Sequence, residues 1–190
     1  MQKDTLEDKT FQNENWSEKK MDFLEISNCK FINCDFTKSK FIGVIFSECV
    51  FSKCIFSNTE LLNCGFRNVN FNDCKISGVI FSEINKFLLN WEFNSCAITL
   101  SSFRNLDIKK SKFIDCLIRD TDFVDIDLSE TDFSNSDLKG SLFQNANLSK
   151  ANFIGAKNYF IDPISNKITK AKFSSPEVLA LLAGFNIIIG

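Results

Sequence analysis

The sequence of 190 residues contains no histidine and has only seven glycines and two prolines. Without histidine, the chain lacks the side chain that most often acts as a general base near neutral pH and a frequent ligand of zinc. It also has no glycine-rich phosphate-binding loop and no apolar run of about 18 residues that could span a membrane. These absences argue against an enzyme, a metal site, a bound cofactor and a membrane protein.

What the sequence has in abundance is phenylalanine, with 22 copies at an unusual spacing. Apolar residues recur at every fifth position from Ile26 to Phe81, and after a slip of two residues they resume from Leu88 to Phe153. Neither an α-helix nor a flat strand repeats at five residues. A sustained period of this kind indicates a repeat protein.

A second period of twenty residues sorts these apolar positions into four columns. The position two residues before each central apolar residue is sorted as well, with cysteine in one column and mainly serine or threonine in another. Four columns predict a four-sided coil, with successive coils stacked at a strand spacing of about 4.8 Å. The most uniform column is Phe31, Phe51, Phe71, Phe93, Phe113, Phe133 and Phe153.

Three repeats show the motif clearly: Cys-Asp-Phe-Thr-Lys at 34–38, Thr-Asp-Phe-Ser-Asn at 131–135 and Ala-Asn-Leu-Ser-Lys at 146–150. A small residue, an aspartate or asparagine, a leucine or phenylalanine and two further polar or small residues resemble the repeat of pentapeptide-repeat proteins. The resemblance implies an all-β fold, a right-handed quadrilateral parallel β-helix with its central and small residues pointing inward. The repeats would make roughly 6.5 to 7 coils.

The five-residue phase also predicts how the chain divides. Residues 1–21 keep the phase and form a degenerate first coil or a cap, residues 22–157 form the β-helix with the slip at 82–92, and residues 158–190 form a C-terminal cap or dimerisation segment. Charged residues at an exposed strand edge oppose edge-to-edge pairing. In the first segment the small inward position holds Asp4, Lys9, Glu14 and Lys19.

All eight cysteines fall at the inward small position. Neighbours within a column would lie within disulfide reach by Cα distance, but stacked side chains point the same way. The charged N-terminus lacks the apolar region of a signal peptide, so we expect a cytoplasmic protein with reduced thiols. The spacing matches no zinc motif. We therefore predict buried, unreactive cysteines that bind no metal.

Charge is unevenly distributed along the chain. From Asp107 to Asp137 nine acids face four bases, a net of −5, and from Lys139 to Lys172 six lysines face one aspartate, a net of +5. Acids before a central residue can serve the turn, which would make this a solvated surface. Alternatively, the acids meet at one corner and bind a basic partner surface. The candidate residues are Asp120, Asp122, Asp125, Asp127, Glu130 and Asp132.

The slip is a second candidate site. It is either a bulge tolerated by the packing or an apolar surface for a partner. Trp91 falls where a small inward residue belongs, so the chain must bulge or redirect it there. The candidate residues are Phe87, Leu89 and Trp91.

The C-terminal segment predicts a short helix. Ser175-Pro176-Glu177 is a favourable helix start, which places a helix at about 176–183, with Gly184 ending it. The apolar residues here either seal the last coil or form an interface with a second copy. The candidate dimer residues are Val178, Leu181, Leu182, Phe185, Ile187, Ile188 and Ile189.

This ending, together with cysteine-phenylalanine repeats such as residues 28–31, resembles the Qnr-type quinolone-resistance branch of the family. The resemblance implies a non-enzymatic homodimer, joined at the C-termini, that binds DNA gyrase or topoisomerase IV, partly as a DNA mimic, and protects it from quinolones without itself binding nucleic acid. An immunity protein against a gyrase-directed toxin and a structural rod with another partner are the alternatives. Because duplex DNA carries one charge per about 1.7 Å, a net charge of −2 excludes a full-length mimic.

Overall fold

A computed structural model describes residues 4–185 and 187–188. The chain winds into a stack of about eight four-sided coils whose strands pair in parallel, which confirms the predicted β-helix. The stack is longer than predicted because both flanking segments join it. Thr5–Glu7 pairs with Glu25–Ser27, and Asn152–Phe153 pairs with Lys172–Phe173.

Two faces of the coil carry the phenylalanine columns, and we call them face 1 and face 3. The strands of face 1 are Thr10–Gln12, Lys30–Ile32, Val50–Ser52, Val69–Asn72, Trp91–Asn94, Lys112–Ile114, Asn152–Phe153 and Lys172–Phe173. The strands of face 3 are Lys20–Asp22, Lys40–Ile42, Glu60–Leu62, Asp122–Val124 and Leu142–Gln144.

The chain passes through face 2 between faces 1 and 3, and through face 4 on its way back to face 1. The strands of face 2 are Ile55–Ser57, Lys75–Ser77, Ala97–Thr99 and Leu117–Arg119. The strands of face 4 are Thr5–Glu7, Glu25–Ser27, Ile45–Ser47 and Gly65–Arg67, and single bridges such as Asp107 to Asp127 continue this face beyond the slip. Two short 3-10 helices, Phe81–Glu83 and Glu177–Phe185, complete the described structure.

Stacked aromatic rings fill the centre of the rod. On face 1 the rings of Phe93 and Phe113 lie 4.8 Å apart at an interplanar angle of 11°, and the same stacking runs from Phe11 to Phe173. On face 3 the rings of Phe103 and Phe123 stack at 5.2 Å. Parallel pairing in register causes this, because it places each side chain directly above its counterpart in the previous coil.

The corners of the coil need a left-handed backbone. Outside the slip, the residue two positions after the central residue has a positive φ, for example 53° at Asn33 and 54° at Asp73. Asparagine and aspartate tolerate this region better than most residues, and glycine tolerates it best. The polar residues that follow each apolar residue in the repeat therefore turn the chain from one face to the next.

The small inward residues hydrogen-bond to backbone carbonyls inside the rod. The Cys54 thiol donates to the carbonyl of Phe31 at 3.3 Å, and the Ser136 hydroxyl donates to the carbonyl of Phe113 at 2.7 Å. All eight cysteines are free and buried, as predicted. Burial raises the pKa of Cys49 and of Cys64 to about 11, so these thiols stay protonated. A short side chain with one donor suits this position, since an unpaired buried carbonyl is costly.

The slip departs from the predicted column at Leu88. The sequence pattern placed Leu88 at an inward central position, but its side chain is 63% exposed and its φ is +56°. Trp91, aligned with Val69 of the previous coil, lies in the core instead and is completely buried. Its indole N–H donates to the carbonyl of Phe66 at 3.0 Å. The indole packs against the rings of Phe66, Phe81 and Phe103, so Trp91 is the buried residue of this segment and Leu88 is not.

We expect Trp91→Phe to lower the free energy of unfolding by about 1 to 3 kcal/mol, because it leaves the buried carbonyl of Phe66 without this donor. Urea unfolding followed by circular dichroism measures the change. Phe87→Leu, on the exposed part of the same segment, is the control and should shift stability by less than about 0.5 kcal/mol. Equal effects of the two substitutions would contradict the role given to Trp91.

We also expect Gly140→Ala to destabilise the rod by about 1 kcal/mol or more. Gly140 has a φ of +75°, and an added Cβ would collide with the carboxylate of Asp120 in the previous coil. Gly184→Ala is the matched control, because a Cβ at that position meets no atom within 4 Å. Thermal unfolding of the two variants tests the difference, and equal melting temperatures would refute it.

Candidate functional site

The predicted acidic residues do not share one corner. Asp120, Asp125 and Glu130 are corner residues, with φ values of 49°, 53° and 62°. Because they are spaced by five residues, they lie at three successive corners of the rod. The six predicted acids therefore do not form a single corner, although Asp122, Asp125 and Asp127 meet at the corner between faces 3 and 4, as expected. A corner is passed at every fifth residue, so acids within 120–132 extend more than halfway around a coil.

The other three predicted acids serve the backbone of their own repeats. The carboxylates of Asp122, Asp127 and Asp132 each accept a hydrogen bond from the backbone N–H two residues later, at 3.0, 2.9 and 2.9 Å. The turn-forming interpretation therefore holds for these three residues. Each carboxylate also accepts a hydrogen bond from a neighbouring coil, from Arg104 to Asp122, from Asn147 to Asp127 and from Asn152 to Asp132.

Cations from the preceding coil are interleaved with the acids. The guanidinium of Arg104 contacts the carboxylates of Asp122 at 3.3 Å and Asp125 at 3.7 Å. On face 4, the ammonium of Lys109 lies 2.9 Å from Asp107 and 3.6 Å from Asp127. These contacts join two pairs of carboxylates on either side of the corner between faces 3 and 4. We call the six residues Asp107, Asp122, Asp125, Asp127, Arg104 and Lys109 the acidic patch.

Asp127 is the most constrained carboxylate of the patch. Partial burial opposes its ionisation, but hydrogen bonds from Ser129 and Asn147 and the charge of Lys109 outweigh that effect and hold the pKa of Asp127 below its ordinary value. The amide of Asn147 donates to Asp127 at 3.0 Å, and the amide of Asn145 donates to Asp125 at 3.1 Å. Asp127 is thus ionised at neutral pH. The amides of Asn145 and Asn147, in the next coil, help to hold Asp125 and Asp127 in position.

Three members of the patch were not among the predicted site residues. Arg104 lies 18 residues before Asp122, Lys109 lies 18 before Asp127, and Asp107 lies 20 before Asp127. The twenty-residue period contains the signal for all three, since it brings residues about one coil apart in sequence into contact. Asp120, Glu130 and Asp132 lie outside the patch, and Glu130 pairs with Lys150 at 3.2 Å.

At the slip, the structure separates the three predicted residues. Trp91 belongs to the core and is inaccessible, so the expectation that it contacts a partner was wrong. Leu89 is half-buried and packs against the core. Phe87 is 61% exposed, and the guanidinium of Arg67 lies 5.7 Å from the centre of its ring. Phe87 and Leu88 form the exposed apolar part of this segment.

The C-terminal segment both covers the last coil and presents an apolar surface. Leu181 packs against the core and Val178 is half-buried, whereas Leu182, Phe185, Ile187 and Ile188 are exposed. Ile189, also predicted to lie at the interface, is outside the described residues. The helix is a 3-10 helix over Glu177–Phe185, so it continues through Gly184, where the sequence predicted its end.

Within the part of the chain that the structure describes, no group of three or more histidine, cysteine, aspartate or glutamate residues is arranged to hold a metal ion. None of the described helices is both long and apolar enough to cross a membrane.

The fold and its surfaces define a parallel β-solenoid with four faces and a mixed-charge patch at one corner. The chain belongs to the pentapeptide-repeat family. Residues 24–86 and 84–153 match the family profile described as "Pentapeptide repeat region".

Two solved structures of similar shape are trypsin-treated variants of QnrB1, described as a plasmid-mediated fluoroquinolone resistance protein. The first is 16% identical, with a TM-score of 0.52 over 99% of this chain and 98% of that chain. The second is also 16% identical, with a TM-score of 0.51 over 98% and 100%. At this identity the likeness shows the shared fold. No curated protein sequence matches the chain.

Proposed function

We propose that this protein is a non-enzymatic, cytoplasmic binding protein that engages a bacterial type II topoisomerase, DNA gyrase or topoisomerase IV, and protects it from quinolones. Membership in the pentapeptide-repeat family and the end-to-end likeness in shape to a fluoroquinolone resistance protein support this proposal. The acidic patch is the observation that carries it, because it offers fixed negative charge to a surface built to bind DNA.

The charge per length of the patch can be compared with that of DNA. Its four carboxylates and two cations give a net of −2 over about two coils, roughly 10 Å of the rod. Duplex DNA carries about six charges over the same length. The patch is therefore suited to steering and orienting the rod on a basic surface, while the rest of the contact depends on shape. The exposed Phe87 and Leu88 add an apolar contact beyond this patch.

Reversing the patch should weaken topoisomerase binding. Asp107, Asp122, Asp125 and Asp127 changed together to Lys should lower the affinity at least tenfold, since rim charges mainly govern steering and salt dependence. The matched control, Glu7, Asp8, Glu18 and Asp22 changed to Lys, makes the same change in net charge in the first coil and should bind like the parent. Binding to gyrase measured over a series of salt concentrations tests this. Equal affinity and equal salt slope in both variants would refute the role of the patch.

A supercoiling assay distinguishes protection from simple binding. The purified protein is titrated into gyrase with and without a fluoroquinolone, in the presence of relaxed plasmid. Restored supercoiling in the presence of the drug supports protection, and inhibition without restoration supports binding alone. Replacing the drug by a gyrase-directed toxin tests the immunity alternative in the same format. No effect in any arm would overturn the proposed function.

The C-terminal surface completes the proposal, with two rods joined there as a homodimer. The exposed side chains of Leu182 and Phe185 in the C-terminal helix, and of Ile187 and Ile188 after it, supply an apolar surface. Apolar surface of this kind favours a contact between chains over exposure to water.

We expect Leu182→Asp to convert a dimer into a monomer, because it places a charge in the apolar contact. Size-exclusion chromatography with light scattering measures the mass. Leu100→Asp is the control, because Leu100 is 68% exposed in the middle of the rod and should leave the mass unchanged. A parent protein that is already monomeric, or a Leu182→Asp variant with the mass of the parent dimer, would refute C-terminal dimerisation.

A further inference from the structure

The first coil presents an open end of the rod. Among residues 4–185, its strands, Thr5–Glu7, Thr10–Gln12 and Lys20–Asp22, each lie at the margin of a sheet and pair with the second coil on one side only. The central side chains of this coil are only partly buried, although their counterparts in later coils lie in the core. These side chains are Leu6, Phe11, Trp16 and Met21. The end therefore combines free strand edges with apolar surface.

Four charged residues surround this apolar surface. They stand at the register positions that Leu24, Cys29, Cys34 and Ser39 occupy in the second coil, as the backbone hydrogen bonds to the next coil show. All four are exposed. They alternate in sign from one face to the next, in the order Asp4, Lys9, Glu14 and Lys19. Like charges would simply repel a second rod, whereas alternating charges can pair with a rotated copy of themselves.

From this alternation we propose that the N-terminal end is a weak interface for a second copy of this chain, joined end to end by a twofold axis perpendicular to the rod. An axis that passes midway between Lys9 and Glu14 exchanges these two positions and also exchanges Asp4 and Lys19. Lys9 then faces Glu14 of the second copy, and Asp4 faces Lys19 of the second copy. The symmetry repeats both contacts, so four pairs of opposite charge surround the joined apolar centres.

A twofold axis between Asp4 and Lys9 would also pair opposite charges. The rise of the coil favours the axis between Lys9 and Glu14. The chain climbs about 4.8 Å per coil, or roughly 1.2 Å per face. Relative to Asp4, Lys9 is set back by roughly 1.2 Å, Glu14 by roughly 2.4 Å and Lys19 by roughly 3.6 Å. Pairing Lys9 with Glu14, and Asp4 with Lys19, therefore leaves the same gap of roughly 3.6 Å at every pair. The ends of the two rods are therefore equally spaced at all four charge pairs.

The same arrangement sets a limit on affinity. It brings the corner residue Asp8 near Glu18 of the second copy, and these like charges oppose the contact. The end of a single rod is also small compared with the surface that a stable complex buries. The contact is thus concentration-dependent, and it weakens with added salt because exposed ion pairs are screened.

Exchanging the paired charges tests the interface. Lys9→Glu and Glu14→Lys should each lower the association constant about tenfold, because each places like charges together at two symmetric contacts. The double variant that carries both changes restores opposite charges and should associate like the parent. Sedimentation velocity over a concentration series measures the effect. It is carried out in the parent and in Leu182→Asp, so that association through the C-terminal end is measured separately.

Cross-linking tests the position of the axis. Asn13 is the corner residue between Lys9 and Glu14, so it lies next to its own copy, whereas Asp8 does not. Asn13→Cys should cross-link between chains with a short bismaleimide, and Asp8→Cys should not. The native thiols are buried and should not compete.

Three results would overturn the proposal. They are a parent that shows no association beyond the C-terminal contact, single variants that associate as strongly as the parent, and cross-linking through Asp8→Cys as efficient as through Asn13→Cys. The last two results would mean that Asp4, Lys9, Glu14 and Lys19 only prevent pairing at the strand edges.

Discussion

Parallel pairing in register is the constraint on which this structure depends. Because each coil repeats the previous one after twenty residues, or 22 across the slip, every side chain meets its own counterpart above and below. Phenylalanine therefore stacks on phenylalanine, and a cysteine thiol reaches the carbonyl of a central residue in the previous coil. On the surface, the amide of Asn147 reaches the carboxylate of Asp127 for the same reason. Core and surface follow one rule.

That rule explains which features the sequence could predict. The columns of phenylalanine and cysteine are periodic, so their burial followed directly from spacing. The slip is not periodic, and the burial of Trp91 there depends on ring contacts and on one indole hydrogen bond that spacing does not reveal. The run of acids along the chain indicates only part of their grouping, because contacts in this fold are made about twenty residues away. Arg104 and Lys109 become visible once the acids are compared with the previous coil.

The surface of the rod is more balanced than its local sequence suggests. A net of −5 between Asp107 and Asp137 becomes a patch in which Arg104 and Lys109 each hold two carboxylates. The rod can thus present negative charge at chosen positions without the mutual repulsion of a continuous acidic surface. A partner would recognise the rigid spacing of these charges along with their sign.

The two-residue slip also shows how such a rod can change in length. The coils before and after it remain paired, since Val69 aligns with Trp91 and Phe71 with Phe93, so the extra residues are absorbed at a single site. An insertion or deletion of one whole coil would leave every ladder in register, because each coil contacts only its neighbours. Any other length must leave the stack as a loop. In evolution, the length of the rod can therefore change in whole-coil steps, while loops supply the variation between them.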